Sequence, residues 1–122
     1  MNFLFVALGG AVGALGRYVI SLLPTKTDFP ILTLMTNIIG AILIGFIVGL
    51  TDNREATSKN MLLFWKTGVC GGFTTFSTFS LEAANLFEKK LYFTSGCYIL
   101  ISLLGCLIGV YCGKKLAMLL QK

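Results

Sequence analysis

Four long apolar stretches, separated by short polar connections, dominate the hydrophobic pattern of the chain. They cover residues 2–23, 29–51, 61–87 and 91–113. Each stretch reaches the roughly 20 residues that an α-helix needs to cross a bilayer. The polar connections, including the one at 52–60, leave no room for a soluble domain. The pattern therefore predicts an all-α membrane protein with one four-helix transmembrane domain spanning residues 1–122.

Small residues recur every four positions in three of these stretches. The rows comprise Gly9 and Gly13, then Ala41, Gly45 and Gly49, then Gly105, Gly109 and Gly113. Such rows let helix backbones approach closely in lipid, where packing drives association. We interpret them as packing surfaces, and their number on four short helices favours an oligomer.

The third stretch contains an unusual polar run at residues 71–80, GGFTTFSTFS. Gly71 and Gly72 each weaken a helix by about 1 kcal/mol relative to alanine. Non-helical backbone at membrane depth is tolerated only where protein or water covers it. Two alternatives stay open here. The helix is broken near its middle, with carbonyls free to bind a cation, or it is continuous and closely packed.

Hydroxyl and aromatic side chains follow the two glycines. Five of the seven residues 74–80 carry a hydroxyl group. Phe76 and Phe79 are three positions apart and share one helix face. The edge of a phenyl ring is partly positive, so these edges favour a small anion. The alternative is that both rings face lipid or pack in the core.

Other polar residues occur at depth in the remaining stretches. Thr33 and Asn37 share a helix face, and the amide can donate to an anion or to another helix. Arg17 can attract anions or extend to the lipid interface. A weakly polar stripe with four-residue spacing runs along the fourth stretch: Tyr98, Ser102 and Cys106. Because these deep groups are mostly donors rather than proton-coupling carboxylates or histidines, the pattern favours passive conduction of a small ion.

Composition agrees with a membrane location and excludes several other functions. The chain is 56% hydrophobic and 12% charged, against about a quarter charged in soluble domains. Its net charge of +5 comes mainly from residues that flank the apolar stretches, which predicts contact with lipid headgroups rather than nucleic acid. Four cysteines without any histidine argue against a zinc site or an enzyme nucleophile.

Charge distribution leaves the orientation of the chain weakly specified. About six Lys or Arg residues, among them Arg54 and Lys122, fall on the side of the N-terminus, and four fall on the other. Lys and Arg favour the cytoplasmic side, so the N-terminus is expected inside. A bias this small also allows insertion in both orientations.

Three motifs resemble those of a known family. They are GALGRY at 13–18, TLMTNIIG at 33–40 and GGFTTFSTFSLE at 71–82. In these motifs, and in the length and order of its stretches, the chain resembles the Fluc (CrcB) fluoride channels. The resemblance implies an antiparallel, dual-topology homodimer in the cell membrane that exports fluoride through two pores along its interface. It also implies a central sodium ion, which is structural and is not transported.

The resemblance also implies roles for individual residues. The backbone carbonyls of Gly71 and Thr74 are expected to hold the sodium ion, and Phe76 and Phe79 to line the pores. Cys106 stands where some relatives carry serine. The other expected pore residues are Arg17, Thr33, Asn37, Ser77, Thr78, Tyr98 and Ser102.

Two alternative functions remain. A small dual-topology multidrug exporter has a similar size, but it relies on a deep acidic residue in its first helix, and residues 1–23 contain none. A membrane scaffold without transport activity explains the rows of small residues. It does not explain the five hydroxyls and Asn37.

Overall fold

The computed structural model describes residues 1–51 and 58–121, and those residues form helices without any strand. This confirms the predicted all-α fold. We number the helices α1 to α5: α1 Asn2–Ser21, α2 Ile31–Thr51, α3 residues 59–73, α4 Phe76–Glu88 and α5 Tyr92–Leu120. The polar connection predicted at 52–60 lies outside the described residues except for 58–60. Arg54 and Lys122, which entered the charge comparison, also lie outside them.

Three of these helices, α1, α2 and α5, are long and apolar enough to cross a membrane. The predicted third stretch contains two shorter helices, α3 and α4. Thr74 (φ −80°, ψ 156°) and Thr75 (φ −151°, ψ 112°) lie between them in extended conformation. All four predicted stretches are therefore helical, and the third consists of two pieces.

The helix α3 is irregular before it reaches the two glycines. Lys59–Leu62 is α-helical, Leu63–Cys70 is π-helical, and Gly71–Phe73 is α-helical again. Helical backbone thus includes Gly71 and Gly72 themselves, and the interruption follows them at Thr74 and Thr75. Gly72 instead allows close packing, because a Cβ atom there would lie 3.1 Å from the Cα of Gly10.

The rows of small residues pack helices within one chain. On α1, a Cβ at Gly9 would lie 2.9 Å from the Cα of Gly68 in α3. Between α2 and α5, a Cβ at Gly45 would lie 2.9 Å from the Cα of Val110. The packing role is confirmed. These surfaces are occupied inside the subunit, so the expected oligomer stays a prediction.

The helix α5 continues beyond the predicted end at residue 113 and reaches Leu120. Ala117 is fully buried there, where it meets Gly49 of α2. Next to it, the side-chain amide of Gln121 donates to the carbonyls of Gly49 (3.3 Å) and Leu50 (2.9 Å). These carbonyls lie in the last turn of α2 and have no partner within that helix. The extension of α5 therefore brings a hydrogen-bond donor to the C-terminal end of α2.

The buried core lies where α2, α4 and α5 meet, near the end of the molecule that holds residues 29–34. Its members are Leu34, Phe79, Ala83, Leu86 and Tyr98. This cluster holds α4 against the start of α5. It therefore positions the extended Thr74–Thr75 connection beside α2.

Candidate functional site

An open cleft of about 400 Å³ lies beside the Thr74–Thr75 connection and brings together many of the predicted site residues. We call it the main cleft. Among the described residues, its only charged lining residue is Lys66, and no carboxylate lines it. Its polar lining residues are Asn37, Lys66, Cys70, Thr74, Thr75, Ser102 and Cys106, and both Phe76 and Phe79 also contribute.

Asn37 holds the extended connection in place. Its Oδ1 accepts a hydrogen bond from the amide of Thr75 (2.8 Å), and its Nδ2 donates to the carbonyl of the same residue (3.1 Å). The side chain thus pairs with both backbone groups of Thr75. One amide hydrogen of Asn37 remains for another acceptor, since the group carries two.

Thr75 forms the N-terminal cap of α4. Its Oγ1 accepts from the amide of Thr78 (3.2 Å) and donates to the hydroxyl of Thr78 (3.0 Å). The hydroxyl of Ser77 lies 3.4 Å from the same oxygen. Threonine is a preferred capping residue, a signal that sequence reasoning passed over. Ser77 and Thr78 therefore belong to the cap and do not line the main cleft.

The two phenylalanines are neighbours with different surroundings. Their ring centroids are 5.5 Å apart with an interplanar angle of 43°. Phe76 is 74% exposed at the rim of the main cleft, whereas Phe79 is 7% exposed in the core. The ring of Phe79 also lies 5.1 Å from that of Tyr98. The pair thus extends from the cleft surface into the core.

A second polar group surrounds Glu82 of α4. One carboxylate oxygen accepts from the hydroxyl of Thr33 (2.8 Å), and the other accepts from the hydroxyl of Tyr98 (2.7 Å). Thr33 and Glu82 also line a smaller cleft of about 240 Å³, together with Asn85 and Lys89. The sequence signal that could have pointed to this group is the three-residue spacing from Phe79 to Glu82, which places both on one helix face.

Two buried serines of α5 differ in their hydrogen bonding. The hydroxyl of Ser95 donates to the carbonyl of Ala83 (2.9 Å). The hydroxyl of Ser102 is buried and has no hydrogen-bond partner among the described residues, although Ser102 lines the main cleft. Cys106, one turn further on, is a half-buried free thiol in the same cleft. The predicted stripe therefore leads from the core at Tyr98 into the cleft.

Arg17 does not line the main cleft. It is half-buried, and its Nε lies 3.4 Å from the carbonyl oxygen of Gly72. Because α3 ends at Phe73, that carbonyl has no partner in a following helical turn. Arg17 thus contacts the last turn of α3 outside the main cleft.

Two backbone carbonyls beside the connection are available to a cation. In a continuous α-helix, Gly71 and Thr74 would accept from the amides of Thr75 and Thr78. Those amides donate instead to Asn37 and to the side chain of Thr75. The described residues contain no cluster of three His, Cys, Asp or Glu side chains that suits a metal.

Comparison with known proteins places this geometry in context. A profile of the family described as "CrcB-like protein, Camphor Resistance (CrcB)" matches residues 4–114. The chain is 46% identical over 120 residues to a protein of Ruminiclostridium cellulolyticum, covering 96% of this chain and 92% of the relative. It is 44% identical over 119 residues to a protein of Agrobacterium fabrum, covering 95% of both chains. A relative from Methanococcus maripaludis is 40% identical over 118 residues, covering 96% of both chains. All three relatives carry the name "Fluoride-specific ion channel FluC".

Proposed function

This multi-pass membrane protein belongs to the CrcB family, and on that premise we propose that it is a passive, fluoride-selective ion channel rather than an enzyme. Hydrogen fluoride is a weak acid that enters cells and dissociates inside, which traps the anion. A negative interior potential favours anion exit by about 2.3 kcal/mol per charge for each 100 mV. A passive pore is therefore sufficient to export cytoplasmic fluoride and reduce its toxicity.

The observation that carries this proposal is the main cleft, with its orphaned hydroxyl. Ser102 is buried without a partner beside Asn37, Thr74 and Thr75, and no carboxylate of the described residues shares that lining. A buried hydroxyl without a hydrogen-bond partner is costly. Fluoride accepts hydrogen bonds and replaces such a partner. Selective conduction needs donors that substitute for water without holding the ion tightly, and neutral hydroxyls meet that need.

The pathway is proposed to pass from the main cleft along the two phenylalanine rings. Their partly positive edges attract an anion more weakly than a full charge does. Beyond Phe79 lie the hydroxyls of Tyr98 and Thr33, which both donate to Glu82. Each hydroxyl has a single hydrogen, so fluoride gains these donors only when Glu82 releases them. The smaller cleft beside Glu82 then forms the far end of the pathway.

A structural sodium ion fits the carbonyls of Gly71 and Thr74. Unwound backbone carbonyls are the usual sodium ligands at broken helices in membranes, and we treat α3 and α4 as the two halves of one such broken span. The amides that would occupy both oxygens donate elsewhere. When bound, sodium supplies a fixed positive charge near the cleft and is not transported. The residues present therefore suit the ion.

An antiparallel homodimer explains how the cleft is covered. Lipid offers no hydrogen bonds to the backbone and hydroxyl groups of Thr74 and Thr75, yet the cleft is open and Phe76 at its rim is 74% exposed. A Cβ atom at Gly71 would meet nothing within 4 Å, which leaves room for a second chain. A copy in the opposite orientation would cover this face and place two pores along the shared interface.

Fluoride efflux from liposomes tests the proposal. We expect the purified protein to release fluoride, read with an electrode, and to retain chloride. Phe76→Ile removes a ring edge and Asn37→Asp removes the amide donor. The loss of one hydrogen bond, about 1.4 kcal/mol, lowers a rate about tenfold, so Asn37→Asp is expected to slow efflux at least that much. Phe76→Ile is also expected to slow efflux, because it removes the ring edge that attracts the anion.

Two matched variants serve as controls. Phe93→Ile changes a phenylalanine that is exposed on α5, and Asn60→Asp changes an asparagine on α3; neither lines the main cleft. Both are expected to keep wild-type efflux. Absence of fluoride efflux from folded wild-type protein would contradict the channel and favour a membrane scaffold without transport activity. Equal slowing by all four variants would show that the pathway does not pass through the main cleft.

A further inference from the structure

The charge on Lys66 stands out because it has no partner in the part of the chain that the structure describes. It is exposed and lines the main cleft together with Asn37, Thr74 and Thr75. No hydrogen bond or ion pair joins it to another described residue. At most about 10 Å of helix, at 1.5 Å per residue, separates it from Lys59 at the start of α3. Lys66 therefore lies within the apolar stretch 61–87, in its first two turns.

An ammonium group in this position needs water or an anion beside it. Ionisable residues within membrane spans are costly, face water-filled cavities or partners, and mark ion pathways. The main cleft supplies such a cavity, and the described lining residues include no carboxylate to neutralise the charge. The same cleft holds the unpartnered hydroxyl of Ser102, which independently points to an anionic or hydrogen-bonding ligand. The cleft therefore carries a net positive potential toward solvent.

We propose that Lys66 draws small anions from bulk water into the main cleft and so raises the rate at which they enter the pathway. This inference rests on the proposed fluoride channel and adds to it a residue that sets the entry rate. A cleft with one sign of charge and low-dielectric walls concentrates counter-ions and raises their entry rates. Lys66 touches the ion at the entrance, while hydroxyls and ring edges act further in.

The proposed dimer gives this charge a consequence for both directions of flow. An antiparallel arrangement turns the two copies of Lys66 toward opposite sides of the membrane. Each side then has one ammonium group at a cleft mouth. Removal of the charge is therefore expected to slow fluoride influx and efflux alike.

The test compares initial fluoride flux at two ionic strengths, set with a salt of an impermeant organic anion. Charges act over about 30 Å at 0.01 M and about 3 Å at 1 M. Lys66→Gln is expected to lower flux about tenfold at low ionic strength, the lower end of measured steering effects, and to have little effect at high ionic strength. Lys66→Arg keeps the charge and is expected to keep the flux.

Lys59→Gln is the matched control, since it removes the same charge from an exposed lysine of α3 that does not line the cleft. If Lys66→Gln fails to yield folded protein, Lys66→Met replaces it. Equal flux for the Lys66 and Lys59 variants at both ionic strengths would overturn the inference and indicate a lysine that contacts lipid headgroups. Wild-type protein without fluoride flux would overturn the channel itself, so the two failures are distinguishable.

Discussion

Ser95 and Ser102 are two buried serines on one helix whose hydroxyls differ in hydrogen bonding. They lie seven residues apart on α5 and are 0% and 5% exposed. Ser95 donates to a carbonyl of α4, whereas Ser102 has no partner among the described residues. An unsatisfied buried polar group costs about 1–3 kcal/mol. Ser102 therefore lowers stability unless an ion or a water molecule is present, as its proposed role in conduction requires.

Alanine substitution at these two serines is expected to have opposite consequences. Ser102→Ala removes an unsatisfied hydroxyl, so the melting temperature in detergent should hold or rise while fluoride efflux falls. Ser95→Ala removes a made hydrogen bond, so stability should fall by about 1 kcal/mol while efflux is kept. Thermal unfolding and liposome efflux measure the two effects. Parallel behaviour of the two variants would contradict a conducting role for Ser102.

At the scale of the helices, close backbone packing of α2 against α5 depends on glycine at particular positions. A Cβ at Gly113 would collide with the carbonyl of Ile42 and would lie 2.7 Å from the amide nitrogen of Phe46. The colliding atoms belong to backbone, which cannot rotate away as a side chain can. The two helices would have to separate to admit even one methyl group.

Gly113→Ala is accordingly expected to destabilise the fold by about 1–3 kcal/mol, the usual cost of overpacking. Gly96→Ala on the same helix is the control, because its Cβ would meet nothing within 4 Å. That change is expected to be neutral or to stabilise by up to about 1 kcal/mol through helix propensity. The measurement is the melting temperature of each variant and of the wild type in one detergent. Equal shifts for Gly113→Ala and Gly96→Ala would argue against close packing at Gly113.

At the scale of the whole molecule, the helices pack as two pairs, α1 with α3 and α2 with α5, and α4 joins the second pair. The main cleft opens between parts of both pairs, on a face that one chain leaves uncovered. The nearly balanced positive charges on the two sides place little constraint on orientation. These features are the basis of the proposed second copy inserted in the opposite direction.

Dual topology predicts that both orientations occur in cells. With a cleavable tag at the C-terminus, protease added to intact spheroplasts should remove roughly half of the tags, because the charge bias is weak. A tagged cytoplasmic protein, which should stay intact, controls for leakage. Complete cleavage or complete protection would contradict dual topology and leave only a parallel assembly or a monomer.

Much of this organisation follows from the sequence alone, because partition into lipid is a local property of each stretch. Hydropathy and length suffice for the helical nature of residues 2–23 or 91–113, and four-residue spacing suffices for the packing rows. Which surfaces those rows meet is not a local property. Gly45 packs on Val110, 65 positions away, and only the folded chain shows that such rows are occupied within the subunit.

Some features of the candidate site can also be predicted from the sequence, and others depend on the fold. Hydroxyl density, the phenylalanine spacing and Asn37 are visible in the sequence, and so is the scarcity of deep acidic residues. The exact position of the helix interruption is not visible in the sequence. It arises because the amide of Thr75 donates to Asn37 of α2 and not to the carbonyl of Gly71. The hydrogen-bond partners of Glu82, the hydroxyls of Thr33 and Tyr98, are likewise known only from the folded structure. Local propensity decides which segments are helical, whereas hydrogen bonds between distant segments decide where a helix stops and which polar groups meet.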